Sequence, residues 1–472
     1  MSTTQENAFK PSLSLVDATM IVAGSMIGSG IFIVSAEVAR SMGSSGWMMA
    51  MWVLAGVVTL IAALSYGELS GMFPKAGGQY VYLREAYNPF VAFLFGWTQF
   101  GVIQTGTIAA VAMAFAKYVG YLAPELGENN VLLTIGAFKL SVAQLVAIAS
   151  IIVLTYINTK GVKNGKIIQT VFTFTKLFSL FGLIIFGLII GAKAEIWNAN
   201  WANAWVSGSL KVADGQVITT ALSTMAFFGA VAVSMKGTLF SSDAWNNVTF
   251  IAGEIKNPQK NIGRALLLGT LIVTIIYVAA NLMYLAVLPF NEIAFAEQDR
   301  VGVAAAERIF GAGIGAVTIA VMIIISTFGC NNGLILSGAR IYYTMAEDGL
   351  FFKKAGHLNK FNVPGYGLWV QCLWASLLCL SGKYNDLLAM VIFGVLVFYV
   401  ITILGIFVLR RTRPEIPRSY KAFGYPVLPA LYILVASALA ILLLRYEPEY
   451  ALPGLGIILL GIPLYYIALR KK

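Results

Sequence analysis

Apolar residues run along this chain in stretches of roughly 17 to 25 positions or more, broken by short polar loops and without sustained alternation. An α-helix of that length crosses the hydrocarbon of a bilayer, whereas the strands of a membrane barrel would alternate apolar and polar residues over about ten positions. The pattern predicts twelve helices, over 14–42, 46–72, 88–119, 141–159, 166–191, 228–252, 263–289, 312–346, 366–382, 386–410, 425–445 and 450–469. Gly and Pro punctuate the loops, as in Phe73-Pro-Lys-Ala-Gly-Gly78 and Asn257-Pro258, and none is long enough to part soluble domains. A single transmembrane domain over 1–472 is expected.

Two spans are interrupted. The first carries Gly24-Ser-Met-Ile-Gly28-Ser29-Gly30-Ile-Phe32, three glycines in an otherwise apolar run. Each Gly weakens a helix by about 1 kcal/mol relative to Ala, and non-helical backbone at membrane depth persists only where protein or a polar cavity satisfies it. Close helix packing through Gly24-x-x-x-Gly28 is the competing explanation, but it needs neither Gly30 nor a second break. The sixth span carries Lys236-Gly-Thr-Leu-Phe240-Ser241-Ser242-Asp243-Ala244-Trp245-Asn246-Asn247, with hydroxyls, a carboxylate and two amides. Interruptions at corresponding places in two halves point to an inverted repeat with a binding site between them.

Composition agrees with the pattern: 59% of residues are hydrophobic and 11% charged, and mean hydropathy is +0.81. A soluble domain carries about 25% charged residues. The net charge of +11 is scattered through short loops, which gives nucleic acid no basic domain to bind. Lys75, Arg84, Lys256, Arg340, Arg410 and Arg413 fall on the side of the N-terminus, so both termini are expected in the cytoplasm of a multi-pass protein of the cell membrane. Anionic lipid on that side is the partner such loops fit. The first span begins without a signal-peptide cleavage pattern.

The chemistry available is narrow. Cys330, Cys372 and Cys379 lie in apolar spans without metal-ligand spacing, and the one histidine, His357, sits in a loop. No metal or cofactor site is expected, and neither paired catalytic aspartates nor a nucleophile–base constellation supports an intramembrane enzyme. Gly161-Val-Lys-Asn-Gly165-Lys lacks the spacing of a phosphate loop, which argues against ATP drive.

Lys176, well inside the fifth span, is expensive there: by insertion scales a central charge costs about 2.5–3.5 kcal/mol, so its amine should face carbonyls or hydroxyls in the bundle or lose its proton, with snorkelling to the interface as the competing explanation. It can hold a cation site permanently or exchange a proton in each cycle. Asp243 at the second break has three roles open to it: receiving a substrate amine, neutralising a lysine, or accepting a proton. Lys236, seven residues earlier, would share its face on a continuous helix. Phe240 and Trp245 flank it as aromatics fit to close over a small molecule, with core packing as the alternative for each. Span eight clusters Ser326, Thr327, Asn331 and Asn332, and Glu68 and Glu254 lie near cytoplasmic helix ends.

Taken together, these landmarks resemble an amino acid permease of the amino acid–polyamine–organocation superfamily, near its L-type amino acid transporter branch. The passages carrying the resemblance are Ile27-Gly-Ser-Gly-Ile-Phe32, Pro74-Lys-Ala-Gly-Gly-Gln-Tyr-Val-Tyr-Leu-Arg-Glu-Ala-Tyr87, Gly253-Glu-Ile-Lys-Asn-Pro258, Arg340-Ile-Tyr-Tyr-Thr-Met-Ala-Glu-Asp-Gly349 and Arg413-Pro-Glu415. The resemblance implies an all-α, leucine-transporter-like fold: five-helix repeats at 14–191 and 228–410, unwound first and sixth helices, and two further helices at 425–469. It also implies that Ile27, Gly28, Ser29 and Gly30 bind an amino acid carboxylate, that carbonyls of Phe240, Ser241, Ser242 and Asp243 receive the ammonium, and that Phe240 gates the site, with Trp245 beside it. Lys176 matches a lysine that stands where sodium-coupled relatives hold a sodium ion, with Ser326 as its hydroxyl neighbour. One departure is visible. Many L-type members carry Phe-Ala-Tyr-x-Gly-Trp where this chain has Phe240-Ser241-Ser242-Asp243-Ala244-Trp245.

The expected function is sodium-independent secondary active transport of amino acids by alternating access, proton-coupled or by exchange, with neutral L-amino acids favoured. Cationic amino acids or polyamines are the alternative cargo that Asp243 raises, and an amino-acid sensor or channel is the alternative of another class.

Overall fold

The computed structural model describes residues 11–136, 138–213, 215–311, 313–381 and 384–470. Its main helices are α1 (Leu15–Met26), α2 (Gly30–Met42), α3 (Ser45–Met72), α4 (Pro89–Leu122), α5 (Val142–Thr159), α6 (Val162–Phe186), α7 (Thr224–Ser241), α8 (Pro258–Val287), α9 (Ile314–Glu347), α10 (Gly365–Ser381), α11 (Tyr384–Thr412), α12 (Val427–Tyr446) and α13 (Pro448–Arg470). Among the described residues, ten helices are long and apolar enough to cross a membrane, and α1 with α2 forms an eleventh crossing bent by 41°. Gly365–Leu380 is apolar but shorter. Residues 312 and 382, at the ends of two expected spans, lie outside the described residues.

Local chemistry fixes the helix ends. Ser14 and Asp17 form a capping box at α1, with Ser14 N–H donating to the Asp17 carboxylate at 2.8 Å. Asn88 caps α4 and Pro89 occupies its first turn, where a missing N–H costs nothing. The ladder of α4 widens to a π-segment at Gln99–Ile103, a local irregularity common at functional sites. Ser141 and Gln144 repeat the capping box at α5.

The membrane-spanning part is all-helical as expected, and the loops outside it add short strands. Two antiparallel hairpins, β1 (Val131–Ile135) with β2 (Phe138–Ser141) and β3 (Gly208–Ala213) with β4 (Gln216–Ala221), occupy loops whose short alternating runs are overshadowed by the apolar spans. Strand β3 lies against the end of α2. Gly43 there has φ 71°, and a Cβ on it would strike the Gly208 backbone.

Small residues bring the spans together: Gly56 faces Thr274 between α3 and α8, Gly67 faces Gly263, and Gly269 faces Val22 of α1. At the N-terminal side of the bundle, charged residues are consumed in pairs. Glu68, fully buried, accepts two hydrogen bonds from Arg410 at 3.0 and 2.6 Å, one from Arg418 at 3.2 Å and one from the Ala422 N–H at 2.7 Å. Asp348 holds Arg84 at 2.6 Å and Tyr80 at 2.8 Å, and Arg340 meets Glu254 at 2.9 Å with both side chains buried. The Glu254 carbonyl also takes the amides of Ser12 and Leu13, tying the N-terminal segment to the chain beyond α7.

Glu68→Gln leaves two guanidinium groups facing a neutral amide. Loss of a fully buried pair costs about 3–5 kcal/mol, and the partial exposure of Arg410 reduces this to about 2–3 kcal/mol. A fall in unfolding temperature of several degrees in detergent is expected, and an unchanged transition would show that the cluster does not hold the bundle.

Candidate functional site

A helix that ends inside a membrane leaves its last carbonyls without partners. Helix α1 ends at Met26, Ile27 is extended (φ −76°, ψ 95°), and α2 starts at Gly30. Three other helices satisfy the exposed oxygens. Lys176 Nζ, from α6, donates to the carbonyls of Gly24 at 2.8 Å and Ile27 at 2.7 Å. Ser326 Oγ, from α9, reaches the carbonyls of Ile27 and Gly28 at 3.4 and 3.3 Å, and Cys330 Sγ reaches that of Ser25 at 3.0 Å. The Tyr277 hydroxyl, from α8, stands 3.1 Å from the Met26 carbonyl. A buried ammonium at this helix end also meets the negative pole of the α1 dipole.

The second break is chemically different. Helix α7 stops at Ser241; the Ser242 amide bonds back to Thr238 and Leu239, and the Asp243 amide to Phe240 at 3.2 Å. Ala244 then takes φ 64°, a left-handed conformation rare for a residue with a side chain, before a short turn at Asn247–Phe250. Tyr277 joins the two breaks, because its hydroxyl also lies 3.0 Å from the Ser241 carbonyl. Gly30 presses on Ser241 so closely that a Cβ would overlap the serine hydroxyl. Thus the two breaks meet where Gly30 faces Ser241, Gly28 lies instead against Cys330, and Gly28, Ser29, Gly30, Phe240, Ser241 and Ser242 are all buried.

Asp243 accepts a 2.6 Å hydrogen bond from the Tyr399 hydroxyl of α11. Trp245 packs edge-on against Tyr66 at 4.8 Å and beside Tyr399 at 5.1 Å, and is 1% exposed. Phe240 is 8% exposed at the end of α7. Lys236 does not join Asp243: the helix ends between them, and the amine turns instead to Glu37 of α2 at 3.4 Å and Glu447 at 3.3 Å.

Two small cavities flank the Asp243–Tyr399 pair. One, of about 10 Å³, lies among Gln79, Gln104, Asn246, Asn247 and Phe398; the other, of about 20 Å³, lies among Thr59, Leu239, Trp245 and Tyr432. Each has room for about one water molecule, so in this conformation the two breaks are packed together and shut to anything larger. Among the described residues no group of His, Cys, Asp or Glu side chains is placed to hold a metal ion.

Tyr277, Tyr399 and Cys330 escape sequence reasoning. Each is a weakly polar residue in an apolar helix, the pattern any core position shows, and only the fold reveals the carbonyl or carboxylate it meets.

The chain belongs to the amino acid permease family, whose model matches residues 13–456. It is 31% identical over 474 residues to the serine/threonine exchanger SteT of Bacillus subtilis (strain 168), covering 99% of both chains. It is 29% identical to large neutral amino acids transporter small subunit 2 of Mus musculus, over 98% of this chain and 81% of that one. To b(0,+)-type amino acid transporter 1 of Homo sapiens it is 27% identical, over 98% and 89%. These relatives are transporters, and the chain is a multi-pass membrane protein.

The Gly30–Ser241 contact yields a suppressor test. Gly30→Ala forces the breaks apart and is expected to reduce amino acid transport by tenfold or more, about 1.4 kcal/mol in the rate-limiting step. Gly30→Ala with Ser241→Gly removes the overlapping atoms and should recover part of the rate. Equal loss in the single and double variants would sever the link between this contact and transport.

Proposed function

We propose that the protein is a sodium-independent amino acid exchanger that alternates access around the two breaks. The proposal includes twelve crossings, counting α1 with α2 as one and α10 as another, arranged as two inverted five-helix repeats and two further helices. Both termini lie in the cytoplasm and the protein sits in the cell membrane. The observation that carries the reading is the Lys176 ammonium on the carbonyls of Gly24 and Ile27, with the Ser326 hydroxyl beside it. Carbonyls and a hydroxyl are the ligands a hard cation such as sodium seeks, and here a tethered cation already occupies them.

The amides of Gly28, Ser29 and Gly30, at the start of α2, are suited to a substrate carboxylate, since first-turn amides and the helix dipole favour an anion. The carbonyls of Phe240, Ser241, Ser242 and Asp243 at the end of α7 are suited to its ammonium, and Phe240 and Trp245 are the aromatics fit to close over it. With the Asp243 carboxylate engaged by Tyr399, backbone groups suffice for both ends of a zwitterion, which favours neutral amino acids over cationic ones. The exchange mode and neutral cargo accord with the names of the serine/threonine exchanger and the large neutral amino acids transporter among the relatives.

Purified protein in liposomes loaded with serine or leucine tests the reading. Uptake of labelled serine or leucine is expected to require amino acid inside and to be unaffected by replacing sodium with choline. Strict sodium dependence, or full uptake into empty liposomes, would overturn it. Lys176→Ala takes the ammonium from the carbonyls of Gly24 and Ile27 and leaves the latter only the Ser326 hydroxyl, a loss of about 1–3 kcal/mol, and should slow exchange at least tenfold. Exchange at the wild-type rate in that variant would remove the lysine from the mechanism.

A further inference from the structure

A larger opening lies away from both breaks. A cavity of about 230 Å³ is formed between the end of α4 and the loop before Val301, lined by Lys117, Tyr121, Glu128, Glu297, Gln298 and Arg300. It exceeds each of the two internal cavities more than tenfold and admits a small organic molecule where they admit water. It opens on the face opposite the charged cluster around Glu68, which is the external face in the orientation proposed above.

Two cations line it in different states. Arg300 is 6% exposed, stacks on the Tyr121 ring at 4.5 Å and bonds Glu297 at 3.2 Å, so it is held in place. Lys117 is partly buried near the carboxylates of Asp299 and Glu128, yet among the described residues its ammonium makes no hydrogen bond or ion pair. An amine withdrawn from solvent and left without an acceptor invites an anionic group. Glu128 adds an acidic group fit for an ammonium.

The loop side is also conformationally loaded. Gln298 and Asp299 both have left-handed φ, 50° and 62°, uncommon for residues with side chains. Asp299 is clamped by Arg40 of α2 at 2.6 Å, and the same guanidinium nitrogen reaches the Ala294 carbonyl at 2.6 Å. The loop that walls the cavity is therefore fastened directly to the outer half of the broken first span.

We propose that this cavity is a second, external binding site for a small carboxylate, held by Lys117 and Arg300, that of an amino acid awaiting transport or of another organic acid. Occupancy reaches the transport machinery through the Arg40–Asp299 clamp. The inference rests on the transport reading for its effect on uptake, but carboxylate binding in the cavity stands apart from that reading.

Asn129, exposed on the cavity wall, serves as a reporter when replaced by cysteine, because Cys330, Cys372 and Cys379 are buried and shielded from an impermeant maleimide. In Asn129→Cys protein in liposomes, external leucine is expected to slow labelling about fivefold or more, with leucinamide, which lacks the carboxylate, leaving it unchanged. Lactate separates the sources: protection by leucine alone assigns the site to amino acids, and protection by both assigns it to organic acids in general. The protection should vanish when Lys117→Gln is added and persist when Lys176→Ala is added. In otherwise native protein, Lys117→Gln should raise the external KM for exchange about tenfold, with the internal KM as in the wild type. Equal protection by leucinamide, or none by leucine or lactate in protein that exchanges amino acids, would overturn the proposal. Protein that shows carboxylate protection but no exchange would instead defeat the transport reading and leave the cavity assignment standing.

Discussion

Backbone oxygen without a partner, placed where no water can reach it, is the constraint from which the rest of this structure follows. Ending α1 at Met26 exposes the carbonyls of residues 24 to 28 to the interior of the bundle. They are met by an ammonium, two hydroxyls and a thiol drawn from α6, α8 and α9. Those helices must therefore converge on one point, and their packing against α1 fixes the middle of the molecule. A continuous first helix would need none of these donors and would leave a lysine stranded among apolar side chains.

The second break depends on the first through contacts that tolerate little change. Tyr277 stands between a carbonyl of each, and Gly30 leaves no space above Ser241. Separation of the end of α1 from the end of α7 must release the tyrosine from one of its two oxygens. Charge is arranged with the same economy: Asp243 is occupied by Tyr399, Lys236 by Glu37 and Glu447, and Glu68 by two arginines. Lys176 differs in having backbone for its partners, which moves with α1.

The sequence exposes what violates its own pattern. Three glycines and a lysine in apolar runs mark the first break and Lys176 because each is costly in a membrane helix, and Asp243 stands out for the same reason. Residues that obey the pattern stay hidden. Tyr277 and Tyr399 read as aromatic core, and their hydroxyls acquire meaning only when helices distant in sequence bring an oxygen to 3 Å or less. The diversion of Lys236 is hidden for another reason: Glu447 lies 211 residues away, and no local spacing encodes that meeting. The cavity beside Lys117 is likewise assembled from two loops whose residues look ordinary in each. The hairpins were masked by the hydropathy of their neighbours, since four to six residues of alternation weigh little beside spans five times as long.

A cation covalently fixed to the chain has a thermodynamic meaning distinct from its role as a donor. A dissociable ion at the same carbonyls would carry the energy of its own gradient into every cycle. Lys176 cannot leave and carries no metal ion across, and on the exchange reading, in which it keeps its proton, the direction of flow is set by amino acid concentrations alone. Such a protein equalises ratios between the two sides of the membrane. It changes which amino acids a compartment holds without changing how many.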